Sequence, residues 1–420
     1  MTDWVCPLCG CLCDDIKITS EKGSIKLTQN ACPKAFKKTK IDYLNIPGPK
    51  ILNREVKIEE ALEKTVFLLE KARYPLIYGL SGTTCETARN ALELGELLRG
   101  SVDSSSSLWL GPENMAAAIW GEQTCSLGEV KNLGDLVIFW RCNPVVSHPR
   151  LISRFLRPSF PRGKFITQIQ KTLITFDSIS TSTGKISNIF LKIGLNKDFE
   201  VLDYLRGAIN GKRASIGEVG GVPRNELDKV SSLLIGSRFG TIFFDRALTN
   251  SKEGEKNIEA LITLIRELNL FTKFQFLPLG NDLNFRGCEE VFLSQTGYPN
   301  SVNFSRGFPR YYPEGKRGID LLTEGICDTA LIISPGEIEK NLGPRLKKIK
   351  TKKIILVDWR LSPLVDLATV FIPVARPGIG SEGSVQRMDG VPVFLKKFGN
   401  SSRPSDEKIL RLIIKRLKND

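Results

Sequence analysis

The segment Cys6-Pro7-Leu8-Cys9-Gly10-Cys11-Leu12-Cys13-Asp14-Asp15, together with Cys32, contains a C-x2-C-x3-C-x18-C array. Three cysteines on one short loop and a distant fourth have the arrangement that holds a cubane iron-sulfur cluster. A tetrahedral zinc site, which usually has two pairs of cysteines, and an empty relic of a cluster site are the alternatives. The predicted ligands of a 4Fe-4S cluster are Cys6, Cys9, Cys13 and Cys32. Cys11 lies outside this pattern, either as a bystander thiol or as a substitute ligand.

The length and composition indicate a soluble protein of several domains. The chain has 420 residues, of which 41% are hydrophobic, so it can bury a large core. No apolar run approaches the roughly 20 residues needed to span a bilayer, and the N-terminus lacks the pattern of a secretory signal. The ten cysteines are not spaced like those of a small secreted disulfide scaffold. We therefore expect a cytoplasmic protein with reduced thiols and no membrane partner.

The chain is strongly basic, with 60 Lys and Arg against 46 Asp and Glu. The dense basic segments are Lys37–Lys40, Lys347–Lys353 and Lys415–Lys418. None of them is interleaved with the aromatic residues that would stack on bases, so we predict no nucleic-acid partner. Solvated faces and subunit contacts are one interpretation of the charge, and attraction of a phosphorylated or polycarboxylate ligand is the other.

The order of apolar runs predicts an α/β fold. Residues 1–48 form a Cys-rich head, 49–210 and 211–375 two halves that echo each other, and 376–420 a C-terminal loop and basic helix. The runs that correspond in order are 76–82 with 241–245, 136–140 with 330–333, 164–167 with 353–358, and 189–193 with 370–374. Short, continuously apolar strands separated by helical stretches are typical of parallel sheets covered on both faces. Each half is therefore predicted to be Rossmann-like.

Polar residues follow several of these strands, where such sheets bind nucleotides. The loops concerned are Gly79–Thr84, Cys142-Asn143-Pro144 and Asp358-Trp359-Arg360. Backbone N–H groups and helix N-termini there can point at phosphate, and an acidic side chain can hold a ribose or base edge. The equivalent of Asp358 in the first half, Gln168–Lys171, has no acid. One of the two sites is therefore predicted to be eroded.

The chain resembles the molybdenum or tungsten bis-pterin oxidoreductases, and within them the formylmethanofuran dehydrogenase B subunit. The segments that carry the resemblance are Cys6–Asp15, Asn30–Cys32, Cys142–Pro144, His148–Arg150, Thr296–Pro299, Val302–Tyr311 and Glu382–Pro392. The resemblance implies a formate dehydrogenase/DMSO reductase-like fold without its C-terminal barrel. It also implies a cleft for a pterin cofactor, for which the candidate residues are Lys34, Cys142, Asn143, His148, Asp358 and Arg360. The lone histidine, His148, excludes a multi-histidine metal site.

Two positions depart from the family pattern. In Ser106–Pro112, Trp109 stands where the family has its metal-ligating cysteine or selenocysteine, and Leu110 stands where it has a histidine. An indole N–H only donates and offers no lone pair to a metal. In a second string, Gly280 stands where the family has an arginine near the substrate. These substitutions predict that the chain holds no molybdopterin or tungstopterin and has no catalytic residue of its own.

Such a degenerate chain resembles the B subunit of the bacterial formyltransferase/hydrolase complex of one-carbon metabolism, which converts formyl-tetrahydromethanopterin to formate through a furan carrier. The resemblance implies a scaffold role beside an amidohydrolase-like A subunit, a C subunit and a formyltransferase D subunit, with an acidic furan carrier as a further partner. The alternatives are a catalytic B subunit of a tungsten or molybdenum formylmethanofuran dehydrogenase, and an iron-sulfur electron-transfer subunit.

Overall fold

The computed structural model describes residues 2–21, 24–39, 46–157, 169–212, 217–311, 315–336, 343–399 and 401–418. The chain forms two compact units. Unit 1 comprises Met1–Leu108 and Asn281–Asp420, and unit 2 comprises Trp109–Gly280. Among the residues so described, no helix is both long and apolar enough to cross a bilayer.

The strands are short, as expected for apolar runs bounded by turns. In chain order they are β1 (Thr2–Trp4), β2 (Ile16–Glu21), β3 (Ser24–Gln29), β4 (Lys50–Ile51), β5 (Arg54–Glu55), β6 (Pro75–Gly79), β7 (Ser101–Ser104), β8 (Leu136–Trp140), β9 (Thr172–Asp177), β10 (Ile189–Lys192), β11 (Glu218–Val219), β12 (Val222–Pro223), β13 (Phe239–Phe244), β14 (Lys273–Pro278), β15 (Val302–Asn303), β16 (Arg310–Tyr311), β17 (Thr329–Ile333), β18 (Lys353–Asp358), β19 (Val370–Pro373), β20 (Gly383–Gln386) and β21 (Pro392–Leu395).

Helices alternate with the strands through most of the chain. They are α1 (Pro33–Thr39), α2 (Ile58–Glu70), α3 (Cys85–Leu97), α4 (Ser107–Trp120), α5 (Leu127–Asn132), α6 (Pro144–Ser147), α7 (Ser182–Ile186), α8 (Asp198–Ile209), α9 (Arg224–Gly236), α10 (Arg246–Thr249), α11 (Gly254–Leu268), α12 (Phe285–Thr296), α13 (Gly318–Glu324), α14 (Leu364–Leu367) and α15 (Asp406–Lys418). A π-helical segment covers Leu151–Leu156 and a 3₁₀ helix covers Gly343–Lys348.

Unit 1 is built on a sheet whose order is β16-β15-β7-β6-β17-β18-β19-β4-β5. The central strands from β7 to β19 are parallel, and the strands at both edges pair antiparallel. Alternate side chains along a strand point to opposite faces, so β17 places Leu331 and Ile333 in one core and Ala330 and Ile332 in another. Both faces of this sheet are therefore covered.

Unit 2 has a five-stranded sheet of order β10-β9-β8-β13-β14, and all its pairs are parallel. Its main core packs the strands against α8, α9 and α11, with Trp140 stacked on Phe176 at a centroid distance of 4.4 Å. The strand order reverses between β8 and β13, so neighbouring loops leave this point in opposite directions.

The Cys-rich segment is part of unit 1 and not a separate head. Strands β1, β2 and β3 form a small antiparallel sheet. The indole N–H of Trp4 donates to the carbonyl of Gly378 at 2.8 Å, and Leu12 packs with Leu283 and Val385 in one buried cluster. Because these contacts join the N-terminus to segments far along the chain, the predicted boundary at residue 48 does not divide the fold.

The predicted α/β class with parallel sheets is confirmed, but the predicted division into residues 49–210 and 211–375 differs from the observed units. Strands β6 and β7 pair in one sheet with β17 to β19, and β8 to β10 pair in the other with β13 and β14. Continuous apolar runs give no information on which strands are neighbours, which is why the sequential division was wrong. The predicted strand at 164–167 lies outside the described residues.

Candidate functional site

Unit 1 has a switch point between β6 and β17, where the strand order reverses. Ligands of open parallel sheets bind outside the carboxyl ends of the strands at such points. Gly79 ends β6 with φ +116°, and a Cβ there would lie 2.3 Å from the carbonyl oxygen of Ile333. Only glycine therefore allows this close approach of two strand ends.

A buried carboxylate, Asp406 at the start of α15, lies at this switch point. It accepts hydrogen bonds from the hydroxyls of Thr83, of Thr87 at 3.0 Å and of Ser334 at 3.4 Å. Burial raises the pKa of Asp406 above its usual value. The sequence analysis missed this residue, although the run Pro404-Ser405-Asp406 before an apolar stripe is a helix-start signal.

Of the predicted residues, Asp358 is the last residue of β18 in the same unit, and Arg360 follows it. One carboxylate oxygen of Asp358 accepts the backbone N–H of Trp359 at 2.7 Å. The other, Oδ2, has no hydrogen-bond partner and lies 3.6 Å from Nη2 of Arg360, which also donates to the carbonyl of Gly336. Burial raises the pKa of Asp358, and Arg360 partly offsets the effect. A desolvated carboxylate with an unused acceptor is suited to bind an N–H or O–H of a ligand.

An aromatic platform adjoins this carboxylate. The guanidinium of Arg360 lies 4.8 Å from the ring centroid of Trp359, and that of Arg376 lies 4.0 Å from it. Cations this close to an indole ring are attracted by its quadrupole. The carboxyl end of β18 therefore has the carboxylate of Asp358, the indole ring of Trp359 and the guanidinium groups of two arginines close together.

Unit 2 carries a matching acid that the sequence analysis did not find. Strand β9 ends at Asp177, whose Oδ1 accepts the N–H of Ser178 at 2.7 Å, as Asp358 does from its own next residue. The carbonyl of Asp177 accepts from Ile193. The sequence analysis placed the equivalent of Asp358 at Gln168–Lys171, after a predicted strand that lies outside the described residues, and did not consider Asp177. The apolar run directly before Asp177 was the available signal.

Cys142 and Asn143 follow β8 at the switch point of unit 2. The thiol of Cys142 donates to the carbonyl of Phe243 at 3.4 Å, and its pKa is raised by burial and by the nearby acids Asp245 and Asp177. Oδ1 of Asn143 accepts from the backbone N–H and the hydroxyl of Thr183, at 3.2 and 2.7 Å. Both predicted cleft residues are therefore engaged by their own chain.

The structure brings two predicted positions, His148 and Gly280, together. Nε2 of His148 lies 2.9 Å from the carbonyl oxygen of Gly280, and Nδ1 lies 2.9 Å from the hydroxyl of Ser147. Because a carbonyl only accepts, Nε2 is assigned the hydrogen. His148 is fully buried and holds the loop after β8 to the end of unit 2.

Trp109 and Leu110, the degenerate positions, lie in the first turns of α4. Trp109 is 4% exposed and Leu110 is 0% exposed. Both side chains are therefore buried as apolar core residues are. Neither side chain offers an acceptor or a proton-transfer group to this helix.

The four predicted cluster ligands lie close together in unit 1. Cys6, Cys9 and Cys13 are buried, Cys32 is half-buried, and the N–H of Cys6 donates to the carbonyl of Cys13 at 2.9 Å. Burial raises the pKa of Cys6 well above its usual value, and proximity to Cys9, Cys13 and Cys32 raises it further. Thiolates that repel each other in a buried loop are the donor set that a bound cationic cluster would stabilise.

The spacing of these thiols bears on the choice of metal. Within the described ranges, no three or more His, Cys, Asp or Glu side chains are grouped so that they could hold one metal ion. A tetrahedral zinc needs four donors within about 2.3 Å of one point. A cubane takes each thiolate on a different iron and so requires wider spacing. Four thiols are the donor type that both a tetrahedral zinc ion and a 4Fe-4S cluster take.

Lys34, the predicted link between cluster and pterin, donates from Nζ to Oδ1 of Asn281 at 2.7 Å. Lys34 acts to lower the pKa of the Cys11 thiol, whereas the larger effect of Cys9 raises it. Lys34 therefore lies beside the cysteine loop. The structure therefore places Lys34 near the cysteine array and Asp358 at the end of β18.

Comparison with known proteins assigns the family. No family model matches the chain. It is 35% identical to the B subunit of the tungsten-containing formylmethanofuran dehydrogenase 2 of Methanocaldococcus jannaschii, over 99% of this chain and 98% of that protein. The corresponding subunit of Methanococcus maripaludis is 32% identical over 98% of both chains. The B subunit of the formyltransferase/hydrolase complex of Methylorubrum extorquens is 24% identical over 60% of this chain and 65% of that protein.

Solved structures show the same fold. The crystal structure of the formyltransferase/hydrolase complex of Methylorubrum extorquens with methylofuran matches with a TM-score of 0.73 and 22% identity, over 89% of this chain and 99% of that chain. Acetylene hydratase from Pelobacter acetylenicus matches with a TM-score of 0.73 and 12% identity, over 100% of this chain and 69% of that chain. By its full-length identity to two curated relatives, the chain belongs to the family of formylmethanofuran dehydrogenase B subunits.

Proposed function

We propose that this chain is a B subunit that serves a formyl-processing complex as a scaffold and does not itself oxidise or reduce a formyl group. The observation that carries the proposal is the buried Trp109–Leu110 pair at the start of α4. In the family that the chain resembles, a metal-ligating thiolate stands at position 109 and a proton-transferring histidine at position 110. An indole and an aliphatic group supply neither function.

The predicted cleft residues differ in whether their polar atoms are engaged within the chain. Lys34, Cys142, Asn143 and His148 each hydrogen-bond within the chain. Asp358 and Arg360, by contrast, keep an unused carboxylate oxygen beside a ring and two cations. With Asp177 found at the end of β9, both sheets retain an acid at a strand end. The predicted lack of a metal-pterin cofactor therefore rests on Trp109, Leu110 and Gly280 alone.

In this proposal the partners are an amidohydrolase-like A subunit, a C subunit and a formyltransferase D subunit, with an acidic furan carrier as the substrate-bearing molecule. The support is the similarity to the B subunit of the formyltransferase/hydrolase complex and to the crystal structure of that complex with methylofuran. The excess of cations, 60 against 46 acidic residues, would raise the local concentration of a polycarboxylate carrier.

The proposal includes a 4Fe-4S cluster on Cys6, Cys9, Cys13 and Cys32. When bound, such a cluster supplies one-electron transfer. The chain's own residues bury the loop and exclude water from three of the thiols. Lys34 adds a positive charge beside the array, which favours thiolate over thiol.

Metal analysis of the native complex tests the proposal. The tagged chain is isolated anaerobically with its partners from cells supplied with tungstate and molybdate, and the metals and formate-dependent dye reduction are measured. We expect iron, no tungsten or molybdenum above trace, and no dye reduction. A tungsten-containing relative prepared in parallel controls for loss of metal. Stoichiometric tungsten or molybdenum with dye reduction would overturn the scaffold role.

One observation favours a second candidate, a working B subunit of a tungsten formylmethanofuran dehydrogenase. Identity to the tungsten-containing subunits is 35% and 32% over nearly the whole chain, against 24% over 60% for the formyltransferase/hydrolase subunit. This candidate needs a metal ligand other than position 109. The same metal analysis separates the two, and mass spectrometry of the partners shows whether a formyltransferase subunit is present.

A further inference from the structure

The turn that joins β15 to β16, residues 304–309, presents a phenylalanine to solvent. The side chain of Phe308 is 55% exposed, and Ser305, Arg306 and Gly307 before it are exposed as well. Single exposed apolar side chains are common on protein surfaces and need no special explanation, which is the simplest alternative. The rigidity of this turn and the sign of its charge distinguish Phe308 from such side chains.

Hydrogen bonds hold the turn in one conformation. The side-chain oxygen of Asn303 accepts from the N–H of Ser305 at 3.1 Å, from its hydroxyl at 2.6 Å and from Nη2 of Arg310 at 3.3 Å. The N–H of Gly307 donates to the carbonyl of Phe304 at 2.8 Å, and Gly307 has φ +82°, which glycine adopts without strain. One buried amide therefore ties together the two ends of the turn.

The turn is also fixed to the core of unit 1. The amide nitrogen of Asn303 donates to the hydroxyl oxygens of Ser101 at 2.9 Å and of Tyr74 at 3.2 Å. Phe304 is buried in the core of unit 1, and its N–H donates to the carbonyl of Gly100 at 2.9 Å. An exposed side chain on a rigid support loses little conformational entropy when a partner binds it, so more of its contact energy contributes to affinity.

The charge near Phe308 is of one sign. Residues 291–311 include Arg306 and Arg310 but no aspartate or glutamate. Arg306 forms no ion pair with any acid in the part of the chain that the structure describes. Aromatic residues and arginine are enriched at protein–protein interfaces, where a few of them supply most of the binding energy. The surface that complements this turn is therefore an apolar pocket bordered by carboxylates.

We propose that the turn is a docking point for another subunit of the complex, with Phe308 as its anchor and Arg306 pairing with an acid of that subunit. This inference rests on the multi-subunit complex of the proposed function. The partner surface has an apolar pocket that accepts a phenyl ring and carries acidic side chains on its rim. Two copies of this chain that met through the turn would bring arginine against arginine, which disfavours a second copy as the occupant.

The test measures how much of each other subunit stays on the tagged full chain, purified from cells that supply all subunits, and how fast it dissociates. Phe308→Asp removes the anchor, and we expect at least about tenfold faster dissociation of one subunit. Arg306→Glu leaves the ring in place and should speed dissociation of the same subunit, more at low salt than at high salt, because salt screens the charges. Phe271→Asp is the matched control, since Phe271 is also 55% exposed, and should retain every subunit.

Hydrogen exchange gives a second readout, because the amides of residues 304–309 should exchange more slowly in the wild-type complex than in the free full chain. Circular dichroism verifies that Phe308→Asp is folded, and Arg306→Glu carries the test if it is not. If wild type retains other subunits and neither variant releases one faster, the inference fails alone. It also fails if Phe271→Asp releases the same subunit as fast, or if the variants change only self-association or only binding of the acidic carrier.

The proposed function fails separately. If the wild-type chain retains no other subunit, both the complex and the docking point are ruled out. Stoichiometric tungsten with dye reduction in the purified complex would end the scaffold role and leave the docking of a subunit on Phe308 intact.

Discussion

An arginine lies beside a buried aspartate in each unit, but the two pairs differ in how completely their hydrogen bonds are made. In unit 2, Arg141 directly follows β8 and binds Asp198 through Nε at 2.8 Å and Nη2 at 3.1 Å. Asp198 also accepts from the indole of Trp140 at 2.8 Å. In unit 1, Arg360 approaches Asp358 at only one point, 3.6 Å away, and leaves Oδ2 without a hydrogen bond.

This difference distinguishes an ion pair with a structural role from a candidate ligand-binding residue. A buried ion pair with its acceptors used holds elements in place, and Nη2 of Arg141 adds a 2.6 Å bond to the carbonyl of Gly194 in the loop after β10. A buried carboxylate with an unused acceptor costs free energy in the absence of a ligand. Polar groups thus lie together at the carboxyl ends of the strands of a parallel sheet. The hydrogen-bond donors around each group determine whether it can still bind a ligand.

The largest effect is expected from Arg141→Met, which leaves Asp198 buried without its cation. We expect the free energy of unfolding to fall by about 3 kcal/mol, because an uncompensated buried charge is strongly destabilising. Urea denaturation of the full chain measures it. The control is Arg206→Met, which breaks a half-exposed pair with Glu267 and should cost less than about 1 kcal/mol. Equal losses in the two variants would contradict the structural role of the Arg141 pair.

Arg360→Met should have a smaller effect that depends on pH. The long contact to Asp358 and the hydrogen bond to the carbonyl of Gly336 are lost, so we expect a decrease of about 1 kcal/mol at pH 7. The raised pKa of Asp358 means that the acid contributes most stability below about pH 3.9, its unfolded value, and loses it as pH rises through the folded pKa. Removing Arg360 raises that pKa further, so the loss should grow with pH.

Denaturation of wild type and Arg360→Met at pH 5 and pH 8 checks this prediction. Arg360→Lys retains a positive charge and is the matched control, with a smaller loss at the higher pH. A penalty that shrinks between pH 5 and pH 8 would show that Arg360 does not stabilise the ionised form of Asp358.

Much of the local structure was predictable from sequence. The strands at Leu136–Trp140 and Lys353–Asp358 were predicted with their observed bounds, because short, continuous apolar runs that end in polar residues are typical of buried parallel strands. The four cysteines that the spacing indicated as ligands likewise lie close together.

The long-range arrangement was not predictable in the same way. Nothing in β6 indicates that it pairs with β17, more than 240 residues later, and not with β8. The same limit explains why Asp406 was missed, since its partners Thr83 and Ser334 come from distant loops. Asp177 was not considered, although the apolar run directly before it was a local signal.

The smallest effect is expected at Asp177, the counterpart of Asp358 in unit 2. Asp177 is half-buried, and the hydrogen bond that its carboxylate accepts from the N–H of Ser178 can be accepted instead by the amide oxygen of asparagine. Asp177→Asn should therefore change the free energy of unfolding by less than about 0.5 kcal/mol. Asp358→Asn places an amide in the fully buried site, where its N–H₂ faces the guanidinium of Arg360, and should cost more. Denaturation of both variants at pH 7 compares them directly. Both acids end a strand and accept the N–H of the next residue. Equal losses of stability in the two variants would therefore mean that this shared position, and not the burial and the donors around each acid, determines its contribution to stability.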